Sequence, residues 1–328
     1  MTQRLDQIDR RLLDDYQRDF PLVARPFACL GQDLGLAEAE VIARLAGMQS
    51  RGQISRVGAT VRPNTAGAST LAAMSVPEDR IEEVAELVNA ENGVNHSYLR
   101  ENQWNLWFVA TAADGAALAA QLARLEAATG LQVLDLRLVQ AFNIDLGFAL
   151  QGPRAQMVRR PPPDMAALCA SDRPILQALS QGLPLVQQPF AQLAESLGQT
   201  EDHILARIKA LSEAEILTRV GVIVRHRAIG WTSNAMVVWD IATAGVAAAG
   251  NALSALPGIS LCYQRVTVPG VWPYALYSMI HARSRAEAMA VLDAAKALPE
   301  LAGVDHSVLF STRCFKQTGA QLMQERAA

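Results

Sequence analysis

The chain is written twice. Phe20-Pro21-Leu22-Val23 returns as Leu183-Pro184-Leu185-Val186, Pro26-Phe27-Ala28 as Pro189-Phe190-Ala191, and Arg56-Val57-Gly58 as Arg219-Val220-Gly221, at an offset of about 163 in a chain of 328 residues. A period that long, used twice, is not a stack of short repeats. It describes a two-domain unit duplicated in tandem. The expected divisions are 1–62 and 63–150 for the first unit, a connector at 151–165, then 166–227 and 228–328 for the second. Consecutive prolines at 161–163 fix φ and remove backbone donors, so the connector reads as an extended spacer, with Arg154, Arg159 and Arg160 in solvent.

Each unit opens with helical periodicity. Leu5, Ile8, Leu12 and Leu13 share one stripe, a short helix covers Pro26–Gly35, and a third over 36–51 buries Val41, Ile42, Leu45 and Met48. The second unit repeats this at 173–182, 189–198 and 200–213, where Thr200 is a suitable N-cap. Three short helices with a tight turn before the third follow the helix-turn-helix plan. The period then changes. Strands are expected at 54–61 and 69–76, a helix at 77–89, a hairpin over 93–112, a helix at 114–129 and a strand at 132–142. In the second unit the corresponding run is a strand at 234–241, a helix at 246–256, a hairpin over 258–282, a helix at 284–297 and a strand at 303–311. The fold class is therefore α+β: two tandem units, each a helix-turn-helix domain followed by a ferredoxin-like βαββαβ domain.

The hairpins carry the chemistry. In GVNHSYLRENQWNLWFVATA (Gly93 to Ala112), alternation puts His96, Tyr98 and Arg100 on one face. In GISLCYQRVTVPGVWPYALYSMIHA (Gly258 to Ala282), Tyr263 and Arg265 recur in step, Leu261 stands in place of the histidine, and His281 comes near the end of the second strand. Net charge is −3 and the isoelectric point about 6.0, a poor start for gripping DNA or an anionic membrane. No run of 18 apolar residues and no signal peptide are present, so a cytoplasmic protein is expected. Cys29, Cys169, Cys262 and Cys314 are far apart, which suits reduced, mostly buried thiols better than a metal site.

The architecture resembles the Lrp/AsnC family. ISRVGATVRPNTAGASTLAAMSVP at 54–77, TRVGVIVRHRAIGWTSNAMVVWD at 218–240, NHSYLRENQWNLWF at 95–108 and CYQRVTVPGVWPYALYSMIH at 262–281 narrow the resemblance to the two partner subunits of siroheme decarboxylase, here fused. This chain departs from the second subunit's pattern at Leu261, usually histidine, and at Ala275, often asparagine. The resemblance implies loss of carbon dioxide from the C12 and C18 acetates of siroheme, giving 12,18-didecarboxysiroheme on the way to haem d1. It also implies an intramolecular pseudo-dimer, open to further pairing as a homodimer.

Siroheme is a flat iron macrocycle edged by eight carboxylates, so its binder needs an aromatic-lined cleft and guanidiniums, whose planar forks bond both carboxylate oxygens. Arg56, Arg62, Arg100, Arg219, Arg225, Arg227 and Arg265 are the candidate clamps, and Tyr98, Trp104, Trp107, Tyr263 and Tyr274 the candidate walls, with Trp231, Trp272 and Tyr277 in reserve. No cofactor is required, because the conjugated ring can accept electron density. The methylene left behind needs a proton, and histidine is the default donor. His96 and His281 are candidates for acid or for axial contact to the substrate's iron, with His226, in the basic RHR run, as third; no metal of the protein's own is expected. His203 reads as surface and His306 as structural. The rival readings are an Lrp-type transcriptional regulator and a non-catalytic haem-binding protein. Against the regulator, the helices that would read DNA begin LAEAEVIARL and QTEDHILARI, and Glu38, Glu40, Glu201 and Asp202 would face phosphates. DNA binding is expected to be weak or absent.

Overall fold

The computed structural model describes residues 5–144 and 161–323. The connector residues 151–160, with Arg154, Arg159 and Arg160, lie outside the described residues.

The six N-terminal-domain helices form where the sequence punctuates them. α1 (Gln7–Asp14) is capped by Asp6, whose carboxylate accepts from the Asp9 N–H at 2.7 Å. α2 (Pro26–Leu34) starts on proline and stops at Gly35, whose φ of 70° suits a residue without Cβ. α3 (Glu38–Ser50) buries Val41, Leu45 and Met48. In the second unit α6 (Arg173–Gln181), α7 (Pro189–Ser196) and α8 (Glu201–Glu213) repeat the arrangement, and Thr200 caps α8 by accepting from the His203 N–H. One apolar core serves all six, with Phe27 and Leu45 from one unit and Phe190 and Ile208 from the other.

β1 (Ile54–Val61) and β6 (Leu217–Val224) pair antiparallel with Gly58 opposite Gly221, so the repeat axis passes between two equivalent glycines. Each glycine admits the other unit. A Cβ on Gly58 would sit 2.5 Å from the Leu179 carbonyl oxygen, and one on Gly221 2.4 Å from that of Tyr16. The crossed contacts are hydrogen-bonded: Val222 N–H donates to Tyr16 at 2.7 Å, and Leu183 N–H to Val57 at 2.7 Å.

The two ferredoxin-like sheets do more than pack face to face, as the Lrp-type plan would suggest. They merge at their edges into one closed barrel. In the first half lie β2 (Ala68–Met74), β3 (Val94–Arg100), β4 (Leu106–Ala112) and β5 (Val133–Ile144). In the second lie β7 (Ser233–Asp240), β8 (Ile259–Arg265), β9 (Leu276–Ala282) and β10 (Asp305–Gln317). Around the barrel the order is β10-β3-β4-β2-β5-β8-β9-β7. The seams are two long strands. β5 pairs with β2 through Arg137 and with β8 from Leu138 onward; β10 pairs with β7 through Phe310 and with β3 from Ser311 onward. β10 thus runs six residues beyond the strand expected at 303–311, because β3 of the other half supplies its partners. A closed wall has no unpaired edge to protect.

Helices α4 (Ile81–Ala90) and α5 (Gly115–Thr129) cover the outside of the first half, α9 (Thr243–Ala255) and α10 (Arg285–Lys296) that of the second. The barrel interior takes apolar residues from both halves, among them Leu71, Leu134, Trp107, Met236, Tyr277 and Leu309. Of the cysteines only Cys262 is buried and Cys169 is exposed, against the expectation of mostly buried thiols: Cys169 lies in an irregular stretch ahead of α6 rather than on a core strand. Among the described residues no helix is long and apolar enough to cross a membrane.

Candidate functional site

A cavity of about 360 Å³ lies between the β1–β6 ribbon and the barrel. Both hairpins reach it. His96, Tyr98 and Arg100 line it from β3, Leu261, Tyr263 and Arg265 from β8, and His281 from β9. The ribbon adds Arg56 and Arg219, the turn after β1 adds Arg62, and the turn before β7 adds His226. Among the described residues, five arginines and three histidines therefore face one chamber, whose lining there includes no aspartate or glutamate. Trp107 closes part of the wall.

Three guanidiniums of the chamber are incompletely satisfied. Arg100 donates from Nη1 to the Leu309 carbonyl at 3.3 Å and lies 5.5 Å from the Tyr98 ring centroid. Its counterpart Arg265 donates to Leu136 at 2.6 Å and sits 4.6 Å over Tyr263. Arg56 makes 3.5 Å contacts with Ser55 Oγ and the Ala59 carbonyl. The Nε of each is buried with no hydrogen-bond partner among the described residues. Burial works against charge here: it lowers Arg56 to about 10 and moves Arg100 and Arg265 down as well, yet a guanidinium near 10 is still cationic at neutral pH. Burial also raises the Tyr98 phenol. The chamber is a preformed cationic surface, which is the electrostatic complement of a polycarboxylate.

The histidines are held in one another's neighbourhood. His226 and His281 meet edge to face with ring centroids 4.7 Å apart, and His96 lies 6.4 Å from Tyr98. His96 Nδ1 is 2.8 Å from Asn95 Oδ1, His281 Nδ1 is 2.5 Å from Ser260 Oγ, and His226 Nε2 is 2.8 Å from Asn234 Nδ2. Burial, with repulsion from Arg56 and His226, lowers His96 to about 4; burial and Arg227 lower His226 to about 4. Both rings are neutral at pH 7. An unfolded histidine titrates near 6.5, so the unfolded chain takes up protons that the native fold refuses. Stability is therefore expected to fall as pH drops from about 6.5 to about 4, by at most roughly 3 kcal/mol per histidine, and to lose nothing further from these groups below that. Urea melts across this range should show the loss, and His96→Gln should remove its share.

Four of the expected binding residues are elsewhere. Arg225 is exposed and Arg227 donates to the Ser311 carbonyl at 3.5 Å; neither lines the cavity, although His226, which opens the tight turn His226–Ile229 between them, does. Trp104 sits in the first hairpin's loop, where its carbonyl accepts from Trp107 Nε1 at 2.5 Å. Tyr274 packs edge to face on Trp272 at 4.8 Å in the longer loop of the second hairpin. Trp272 and Tyr277 fill the barrel beneath the cavity, joined by a 2.7 Å hydrogen bond, and Trp231 stacks against Arg283. His203 is exposed, and His306 is half-buried against Trp239. The sequence reading overlooked the polar residues behind the histidines, Asn95, Ser260 and Asn234. A signal existed: Asn95 and Ser260 occupy the same place in the two hairpins, at the offset that relates Tyr98 to Tyr263.

Comparison with known proteins agrees with this architecture. The AsnC-like ligand binding domain family matches residues 66–143 and 228–316, and the siroheme decarboxylase NirDL-like HTH domain family matches 9–54 and 172–218. The chain is 61% identical to the siroheme decarboxylase NirDL subunit of Paracoccus denitrificans (strain Pd 1222), over 98% of this chain and 99% of that one. It is 50% identical to the siroheme decarboxylase NirD subunit of Stutzerimonas stutzeri over 45% of this chain and 98% of that one, so a unit of half this length exists as a separate protein. A crystal structure of the siroheme decarboxylase NirDL in co-complex with an iron-uroporphyrin III analogue is similar with a TM-score of 0.66 and 26% identity, covering 96% of this chain and 94% of that one.

Proposed function

This chain belongs to the siroheme decarboxylase family, and we propose on that premise that it removes carbon dioxide from the C12 and C18 acetates of siroheme, yielding 12,18-didecarboxysiroheme for haem d1 biosynthesis. The observation that carries the reading is one chamber in which five arginines and three histidines meet with no acidic side chain among the described residues. Arg100, Arg265 and Arg56 hold carboxylates of the substrate; each has an N–H donor to give. An acetate drawn into the buried wall loses its water, which favours leaving as neutral carbon dioxide. The C–C bond breaks, its electron pair passes into the conjugated ring system, and a proton on the methylene carbon completes the methyl group.

His96 and His281 supply that proton. His96 rests neutral because burial, and after it the charge of Arg56, opposes its protonation. A bound polycarboxylate offsets the arginines, so the substrate itself raises the affinity of the ring for a proton. Anaerobic incubation with siroheme followed by mass analysis should show loss of two carbon dioxide molecules per macrocycle. Unchanged siroheme in the presence of folded protein overturns the assignment and leaves the haem-carrier reading.

The helix-turn-helix domains act as scaffold. Arg44 of α3 is spent on Asp6, Asp9 and Glu40, and Arg207 of α8 on the fully buried Asp172. Glu38, Glu40, Glu201 and Asp202 begin the helices that would have to meet phosphates. One chain completes the chamber, so the working unit is the intramolecular pair of halves, acting on the iron tetrapyrrole without DNA or a membrane.

A further inference from the structure

We propose that Asn95 and Ser260 are positioning residues that fix the Nδ1 proton of His96 and His281, so that Nε2 is the nitrogen each ring uses toward the substrate. The inference rests on the reading that these two histidines handle the proton.

Both hairpins break register at the same place. On β3 the pairing steps from Val94 opposite Ala110 to His96 opposite Val109; on β8 it steps from Ile259 opposite Ile280 to Leu261 opposite Met279. The extra residue is Asn95 in one hairpin and Ser260 in the other. A bulge re-aims a side chain that regular pleating would send elsewhere. Both are polar and deeply buried, at 3% and 2% exposure, where an unpaired polar group is costly.

Their hydrogen bonds assign the tautomers. The Asn95 amide nitrogen donates to Thr111 Oγ1 at 3.4 Å, so its oxygen faces His96 and must accept from Nδ1–H. The Ser260 hydroxyl donates its one proton to the Met279 carbonyl at 2.9 Å, so at its 2.5 Å contact with His281 the oxygen accepts and Nδ1 donates. In both rings the lone pair is then on Nε2.

The two supports serve different placements. His96 stands where the second hairpin has Leu261, and His281 stands where the first has Thr111, one step past the pairs Ala110–Val94 and Ile280–Ile259. Asn95 reaches along its own strand; Ser260 reaches across to the neighbouring one. The bulge position has kept the task of holding an imidazole although the imidazole has moved.

Nitrogen NMR of histidine-labelled protein tests the assignment without turnover. It should show Nδ1–H tautomers for His96 and His281, and an Nε2–H signature at both overturns the proposal. Kinetics supply the second arm. Asn95→Leu and Ser260→Ala are expected to lower kcat roughly 10- to 100-fold, as loss of a supporting hydrogen bond does elsewhere, with KM and affinity for an iron-uroporphyrin within twofold. Asn95→Asp and Ser260→Thr, which keep the acceptor, should recover most of the rate. Wild-type kcat in Asn95→Leu and Ser260→Ala, or equal losses in the conserving variants, overturns the positioning role. An inactive wild type with Nδ1–H tautomers overturns the functional reading instead.

Discussion

Alanine in place of His96 or His281 is expected to slow decarboxylation of siroheme by about 10²- to 10⁴-fold, the usual worth of a placed proton donor. Binding of the macrocycle should change little, because the arginines carry it. The two variants should differ in product. The histidines sit on different strands of different halves, with different supports, and each faces the chamber from its own side. Loss of one should leave a singly decarboxylated species to accumulate in stopped reactions, which mass analysis resolves. Normal rates in both variants would remove these rings from the chemistry and leave His226, 4.7 Å from His281, as the remaining imidazole of the chamber.

Methionine in place of Arg100 or Arg265 should have two effects of opposite sign. Each guanidinium is buried, each has an Nε without a partner among the described residues, and burial lowers each. A charge kept out of water with incomplete hydrogen bonding costs the apo fold stability. Replacing it with an apolar chain of similar length should therefore stabilise the substrate-free protein, by roughly 1–3 kcal/mol in urea melts. The same change removes a buried partner for a substrate carboxylate. Affinity for an iron-uroporphyrin should fall by about 2–5 kcal/mol, or on the order of 30- to several-thousand-fold. Porphyrin titrations followed by absorbance separate the two effects. A variant that loses both stability and affinity would show the arginine to be structural.

Much of the fold was readable because the chain repeats itself. The doubled Arg-Val-Gly marks the ribbon whose glycines meet at the repeat axis, and alternation in the hairpins gave the inward faces of His96, Tyr98, Arg100, Tyr263 and Arg265. The closure of the barrel was not readable. It depends on β10 continuing through Thr312–Gln317, a polar stretch whose strand character comes from β3 of the other half rather than from its own side chains. The same limit explains Arg225 and Arg227: composition marks a basic run, but only the turn geometry says that the histidine between them faces in. Trp272 and Tyr274 were indistinguishable from cleft walls until the long loop was seen to plug the barrel. Asn95 and Ser260 look ordinary as letters; their importance arises at an irregularity of pairing.

The seams at β5 and β10 bear on how such a chain can change. Neither half owns a complete wall, so neither can be discarded, however far its sequence drifts. Yet the wall is held by backbone, which is indifferent to most side chains. The twins are thus bound as scaffolding while their inward-facing residues are at liberty to specialise. A leucine at 261 against a histidine at 96, and a histidine at 281 against a threonine at 111, are what such obligatory cohabitation permits: inherited tasks parted between siblings, neither of which can leave home.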